Sequence, residues 1–407
     1  MRKSYPPQLL REVEGGVTAP CGFDAAGVRA GLKERGLDVA LVYSVAPAAA
    51  AGVFTANRVQ AAPVLVSKDR VGRANVHGVV INSGSANACT GDRGYRDAVK
   101  MAALAAQALG VPERSILVCS TGVIGRPLPM RKIATGVKEA VASLRPDGGE
   151  QAAEAILTTD TRAKTASAEF ELDGRPVRIG GMAKGAGMIA PNLATMLAVI
   201  TTDARLSPAL LQSCLAAAAD RSFNRITVDG DTSTNDCVLA FANRQAEAGE
   251  ITPRHGLVRF QAALDQVCAK LSQAIVADGE GATKTVEVCV RGAQTEREAL
   301  QIARTIATSP LVKAAIAGGD PNWGRVVAAA GRAGVRFRPE LVELYLGKVR
   351  VVRNGAVSRY TQQAAERAVA GPAVSITLDL GAGEKEATVW TCDLTGEYVR
   401  INSDYHT

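Results

Sequence analysis

Aromatic residues are scarce in this 407-residue chain: Phe, Trp and Tyr together make up 4% of it, and only three histidines are present, at 77, 255 and 406. So few aromatics leave no stacking platforms of the kind that hold single-stranded nucleic acid. Lys and Arg are scattered singly among Asp and Glu, so the net charge of +7 does not gather into a basic stripe, and nucleic acid is not an expected partner. Isolated histidines and the lack of any Cys-x-x-Cys pair leave no ligand set at metal-binding spacing, and no metal is expected. The eight cysteines, at 21, 89, 119, 214, 237, 268, 289 and 392, lie mostly in apolar runs such as "ILVCS" and read as reduced core residues. Also missing is a long uncharged run able to cross a bilayer. The opening "MRKSYPPQLLREVEGG" breaks at Pro6 and Pro7 before an apolar signal region develops, so a cytoplasmic location with no membrane partner is the expectation.

What is present is ordinary globular material, 47% hydrophobic and 21% charged, long enough for two domains or one large one. Apolar segments at 38–44, 50–59, 62–69 and 76–91 read as strands, followed by a helix over 95–111, a strand over 115–125 and a helix over 130–144. "TASAEFELDGRPVRIGG" reads as a hairpin turning at Asp173 and Gly174. After the strand "ATMLAVITTDARL" comes a helix with Ser207 as N-cap and Pro208 at its first position. "RITVDGDTSTNDCVLAFANR" reads as strand, polar loop and strand, and a long helix covers 255–277. A second set of strands and helices begins at Thr283 and closes in strands through "ATVWTCDLTGEYVRIN". Gly-rich "DGEGATK" sets a domain boundary near 281, giving a catalytic domain 1–281 and a C-terminal domain 282–407. The class is α+β or layered α/β, with mostly antiparallel sheets.

Several short stretches carry possible chemistry. In "GMIAPNLATMLAVITTDA", residues 187–204, Thr195 opens a buried-strand pattern directly behind a Pro-Asn turn signal. Most threonines in such a place are simply β-branched strand residues. Here, however, the preceding loop "AKGAGMIAPN" brings two glycines, a proline and Lys184 close by, which lets backbone approach a ligand. A threonine hydroxyl needs a base, and a chain-initial threonine has one in its own α-amine, with a pKa near roughly 8. Thr195 is internal, so that chemistry requires a cut between Ala194 and Thr195. In "CSTGVIG", a strand running into a glycine turn would present the Thr121 hydroxyl and the Gly122 N–H, the donor pair of an oxyanion hole, although such a turn is often only a turn. The aspartates of "VDGDTSTNDC" resemble a calcium loop but lack its terminal Glu, and read as a polar loop near a site. "RIGGMA" matches a string found in acetyl-CoA-binding loops, but a chain this rich in Gly and Ala yields such a string by chance.

Taken together and in order, "STGVIG", "TTDT", "GGMAKGAGMIAPNLATML", "TVDGDTSTND", "DGEGATK", "GGDPNWGR" and the closing "YVRINSDYHT" resemble the ornithine acetyltransferase family of the arginine pathway, also called glutamate N-acetyltransferases. The likeness spans essentially the whole chain. It implies a layered α/β/β/α-type sandwich with a smaller C-terminal α/β domain whose tail returns to the active site. It also implies self-cleavage between Ala194 and Thr195, giving an α chain 1–194 and a β chain 195–407, with Thr195 as the N-terminal nucleophile. Thr121 and Gly122 would form the oxyanion hole, and Thr158, Lys184, Thr195, Glu280, Asn402 and Thr407 would line the substrate site. The implied reaction moves an acetyl group from N-acetylornithine to glutamate through an acetyl-Thr195 intermediate, without a cofactor. Acetyl-CoA as an additional donor is left open, and the implied assembly is a heterotetramer of two α and two β chains. Leu193 stands where the family has methionine, a conservative change beside the scissile bond. The competing reading is a self-processing aminopeptidase or amidohydrolase with the same kind of nucleophile, in which water resolves the acyl-enzyme.

Overall fold

The computed structural model describes residues 10–72, 75–190 and 196–404. Its strands and helices before residue 281 are built around one long strand. The strands are β1 (Arg11–Glu12), β2 (Phe23–Val28), β3 (Val39–Phe54), β4 (Val76–Ser85), β5 (Ile116–Val123), β6 (Lys164–Leu172), β7 (Arg175–Lys184), β8 (Leu197–Thr202) and β9 (Cys237–Ala242). They pair in the order β1-β6-β7-β8-β9-β3-β4-β5, with β2 also on β3; β4–β5 and β8–β9 are parallel and the other pairs antiparallel. The expected separate strands at 38–44 and 50–59 are therefore one strand. Between Tyr43 and Ala48 its register with β4 shifts, which accommodates Pro47, and beyond the shift β3 pairs with β9 instead. This single strand thus belongs to two sheets.

Six helices cover them: α1 (Ala62–Arg70), α2 (Gly91–Leu109), α3 (Met130–Ala142), α4 (Gly149–Ala155), α5 (Pro208–Arg221) and α6 (Leu257–Ala277). Met101 and Ala105 of α2 and Ile133 and Val137 of α3 pack on Val80, Ile116 and Val118. On the far side, Leu215 of α5 and Phe260, Leu264 and Leu271 of α6 pack on Ile179, Ile200 and Ala240. Between the sheets, Val42, Ile81 and Leu117 meet Met182, Leu197, Val199, Leu239 and Phe241. The result is the α/β/β/α layering. It explains the unbroken apolar run at 196–200: Ala198 and Ile200 face helices, Leu197 and Val199 face the other sheet, and no face of β8 needs polar residues.

The Asp173–Gly174 turn forms as expected, both residues having positive φ (54° and 71°), and the Ser207 hydroxyl caps α5 by accepting from Leu210 N–H at 3.2 Å. The segment 62–69, expected as a strand, is helix α1. Pro63 pre-sets its first turn, and Ser67 exchanges hydrogen bonds with Val118 N–H and C=O at 2.9 and 2.6 Å, anchoring it on β5. The strand expected after Arg225 also does not form. Its backbone goes elsewhere, Thr227 N–H to Trp390 C=O and Val228 N–H to Ile189 C=O.

Beyond Gly281 lie β10 (Thr285–Ala293), α7 (Glu296–Ala307), α8 (Pro310–Ala317), α9 (Trp323–Gly331), β11 (Glu343–Leu346), β12 (Val349–Arg353), β13 (Ala356–Val357), α10 (Gln362–Ala370), β14 (Ala373–Asp379), β15 (Lys385–Cys392) and α11 (Gly396–Asp404). Their sheet runs β13-β12-β11-β14-β10-β15. Helices α7, α9 and α10 cover one face through Ile302, Ile306, Val326 and Val369, so β14 alternates buried and half-buried residues, unlike β8. The closing "GEYVRIN", expected as strand, lies in helix α11, with Glu397 and Arg400 paired one turn apart at 2.6 Å. No helix among the described residues is long and apolar enough to cross a membrane.

Candidate active site

Thr121, Gly122, Thr158, Lys184, Glu280 and Asn402 line one cavity of about 120 Å³. Apart from the adjacent Thr121 and Gly122 on β5, each comes from a different element or loop, so the stacking of sheets and helix ends assembles them. Ala194, Thr195 and Thr407 lie outside the described residues. Of the residues flanking 191–195, Met188 lines the cavity and Met196 directly precedes β8.

Thr121 and Gly122 end β5 where it runs parallel to β4, and the register shifts just beyond the Gly84–Gly122 pair. Gly122 has φ +126°, and a Cβ there would sit 2.5 Å from the backbone carbon of Gly84, so no other residue fits this corner. Lys184, the last residue of β7, is 3% exposed. Its Nζ donates to Thr158 Oγ1 at 2.8 Å and to Thr121 Oγ1 at 3.5 Å, and lies 3.7 Å from the Asp160 carboxylate.

Beneath this lysine is a buried charge cluster that the sequence reading did not single out. Asp160 Oδ1 accepts from Lys164 Nζ at 2.7 Å and from Gly185 N–H at 2.6 Å, and Lys164 also donates to Asp278 at 2.5 Å. Thr161 ties Asp278 to the same loop through its N–H at 3.1 Å and its hydroxyl. Burial alone would raise the Asp160 carboxyl, but Lys184 and Lys164 together hold it at about 2. Two lysines and two aspartates thus balance, and Lys184 is presented at the cavity as a fixed cation. The Asp160–Lys164 spacing of four residues was the available sequence signal.

The loop leading toward residue 195 is also pinned. Asp229 accepts from Met188 N–H at 2.5 Å and Ile189 N–H at 2.9 Å, and Tyr398 on α11 donates its hydroxyl to Asp229 at 3.3 Å. Met188 has φ +58°, a left-handed conformation unusual for a side chain with a Cβ, held by these bonds. Burial raises the Asp229 carboxyl, and burial with the nearby Asp229 raises the Tyr398 hydroxyl. Glu280 anchors its N–H on Ala186 C=O and lays its carboxylate over Gly187, where a Cβ would lie 2.3 Å from Oε2. Asn402 of α11 donates to the same Oε2 at 2.8 Å. The cavity lining therefore includes the Lys184 amine and the side chains of Glu280, Asp229 and Asp231. Such a distribution suits a small molecule carrying both a carboxylate and ammonium groups.

Asp236, the last aspartate of the loop "VDGDTSTNDC" expected near a site, is wholly buried just before β9, and its Oδ1 accepts from Met196 N–H at 2.8 Å. Of the expected loop 228–237, Asp229 and Asp236 thus bind backbone N–H groups on either side of residues 191–195.

The profile of the ArgJ family matches residues 24–407. The protein called arginine biosynthesis bifunctional protein ArgJ from Symbiobacterium thermophilum is 52% identical over 397 residues, covering 97% of this chain and 99% of that protein. Its Synechococcus namesake is 51% identical over 409 residues, covering 98% of this chain and 99% of that protein. Among solved structures, the ArgJ crystal structure from Bacillus halodurans is 40% identical, covers 50% of this chain and 97% of its own, and gives a TM-score of 0.49.

Proposed function

The chain belongs to the ArgJ family, and from that premise we propose that it cuts itself between Ala194 and Thr195 and then moves an acetyl group from N-acetylornithine to glutamate through an ester on Thr195. The observation that carries this reading is the convergence of Thr121, Gly122, Thr158, Lys184, Glu280 and Asn402 on one cavity that is also lined by Gly187 and Met188, just ahead of residues 191–195. The names of the relatives, which place them in arginine biosynthesis, support it.

The Thr195 hydroxyl attacks the acetyl carbonyl while its α-amine takes the hydroxyl proton. The oxyanion draws on the Thr121 hydroxyl and the Gly122 N–H, with Lys184 behind Thr121 orienting that hydroxyl. As the C–N bond breaks, its electrons go to the ornithine nitrogen, which takes the proton back from the α-ammonium. Glutamate enters, its free amine attacks the ester, and Thr195 regains its proton. Glu280 and Lys184 meet the ammonium and carboxylate ends of the amino acids. The relatives are called bifunctional, which supports acetyl-CoA as a second donor.

Mass spectrometry of the purified protein tests the first half: two chains divided at 194/195 are expected, and a single chain from Thr195→Ala. Labelled acetyl tests the second half. Label from N-acetylornithine should appear on glutamate, and Thr121→Ala should slow transfer roughly a hundred- to thousandfold. Free acetate without acetylglutamate would make the protein a hydrolase instead, and a fully active uncut chain would remove Thr195 from the mechanism.

A further inference from the structure

Two buried thiols face each other between the stacked sheets. Cys119 on β5 and Cys237, the first residue of β9, have their Sγ atoms 3.3 Å apart among the apolar side chains that fill the space between the sheets. Their strands are not neighbours, β5 pairing with β4 and β9 with β8 and β3, so only the stacking brings them together. A hydrogen-bonded bridge crosses the same gap: Asn235 Nδ2 donates to Ser120 C=O at 2.8 Å and to Ala86 C=O at 2.6 Å. Thr121, two residues beyond Cys119, and Asn235, two residues before Cys237, both line the cavity. The contact with Cys119, together with burial, raises the Cys237 thiol well above its usual range, so at rest the pair stays as two thiols.

A disulfide holds its sulfurs about 2.05 Å apart, so closing the 3.3 Å gap by about 1.3 Å would join them. The geometry points to Cys119 and Cys237 as an oxidation site, a thiol pair that a small hydroperoxide converts into a disulfide bridging the two sheets. Both residues are no more than 3% exposed, so a bulky oxidant such as glutathione disulfide has no line of attack, whereas a molecule the size of hydrogen peroxide enters during local opening. One sulfur, as thiolate, attacks a peroxide oxygen; the O–O bond breaks, hydroxide leaves and takes up the thiol proton as water, and a sulfenic acid remains. The second sulfur gives up its proton and attacks the sulfenic sulfur, the S–O bond breaks, and a second water leaves. Two thiols and one peroxide thus become one disulfide and two waters, the electron pair passing from sulfur to the peroxide oxygens. Drawing Cys119 toward Cys237 shifts the strand end that carries Thr121 and Gly122, so the bridge slows chemistry at that corner. Under the cleavage proposed above, the two cysteines fall in different chains, 1–194 and 195–407, and the bridge ties those chains covalently.

The test treats purified full-length protein with hydrogen peroxide, alkylates the remaining thiols in denaturant, and reads wild type, Cys119→Ala and Cys237→Ala by peptide mapping and non-reducing electrophoresis. Expected in wild type is a peptide pair joined through Cys119 and Cys237, two hydrogens lighter than its parts, absent from both variants and released by dithiothreitol. Acetyl transfer should fall at least about tenfold as the pair forms, since a misplacement on the order of 1 Å can cost about a hundredfold, and should return with dithiothreitol. Either variant, whatever its starting rate, should keep that rate through the same treatment. In the cut protein the two chains should run as one band without reductant and as two with it. Recovery of Cys119 and Cys237 as alkylated free thiols after the exposed Cys21 and Cys89 have been oxidised would overturn the proposal. A bridge that forms without any change in transfer would overturn its reach to the site. A bridged peptide pair in a protein that runs as a single chain with and without reductant would overturn the cleavage reading instead, because the peptide map reads the bridge independently of cutting and of transfer.

Discussion

Lys184 and Lys313 are both buried, 3% and 4% exposed, one at the end of β7 and the other on α8 of the six-stranded unit. Lys184 sits above a carboxylate that a second lysine also neutralises, and its remaining donors reach the hydroxyls of Thr158 and Thr121 at the cavity. Lys313 meets no carboxylate directly. Its Nζ donates to Thr391 Oγ1 at 3.0 Å and to the backbone C=O of Cys392, with Cys392 Sγ at 3.6 Å, and burial lowers its pKa. One lysine belongs to an ion cluster that opens on a cavity; the other ties off a helix against a strand end. Burial alone does not mark a functional group. What separates the two is whether the surroundings are arranged to keep the charge.

Breaking the first arrangement should have the largest effect. Asp160→Ala leaves Lys164 and Lys184 without their shared anion and should cost about 3–5 kcal/mol in urea unfolding, with transfer falling in the protein that still folds. In the wild type the Asp160 carboxyl, held at about 2, contributes stability that is present above its unfolded pKa of about 3.9 and is lost as pH falls toward 2. Unfolding measured across that window should show this acid loss flattened in Asp160→Ala, and an unchanged slope would mean that the cluster is not ionised as drawn.

A mutation in the core of the six-stranded unit sharpens the contrast from the other side. Ile376→Ala empties a wholly buried position on β14 and should cost about 2–5 kcal/mol. Transfer per folded molecule should stay at the wild-type value, because this sheet reaches the cavity only through α11. A kcat that dropped with stability would show the two units to be more closely joined.

The smallest effect is expected at Lys313→Met, within about 1 kcal/mol at neutral pH, since a volume-matched apolar side chain replaces a cation without a carboxylate partner. The lowered pKa of Lys313 means that, once pH passes it, the unfolded chain binds more protons than the folded one. Wild-type stability should therefore rise with pH from that point up to about 10.4. The variant should lack the rise, and a rise that persists would assign it to another group.

Much of the framework is legible in the sequence because local chemistry and tertiary structure agree there: Asp173–Gly174 can only turn, and Ser207–Pro208 starts α5. It fails where packing decides. Val64 and Val66 look like strand residues, yet α1 is wedged against β5 and α2 and made helical by Pro63, and the tail helix α11 starts behind Thr395, whose hydroxyl goes to Gly281 C=O. In the site, motifs brought out the residues facing the cavity, Thr121, Thr158, Lys184, Glu280 and Asn402. The groups behind them, Lys164 with Asp278 and Asp236 with Met196, are pairs 114 and 40 residues apart whose meaning exists only after the sheets have stacked.

The strand order carries a consequence for the fate of a divided chain. Strands β8 and β9 follow residue 195, yet they lie between β7 and β3, both of which precede it. Two polypeptides made by a cut at that point would be interleaved like the fingers of clasped hands, each unable to withdraw without tearing two rows of backbone hydrogen bonds. The scissile peptide is then scaffolding: it keeps the halves at roughly millimolar effective concentration while the sheet closes, and can be removed afterwards without loosening the product. Halves parted by denaturant would have lost that tether. Their reassembly should be a second-order search, slow and dependent on dilution, so the enzyme would be easy to make once and hard to make again from its pieces.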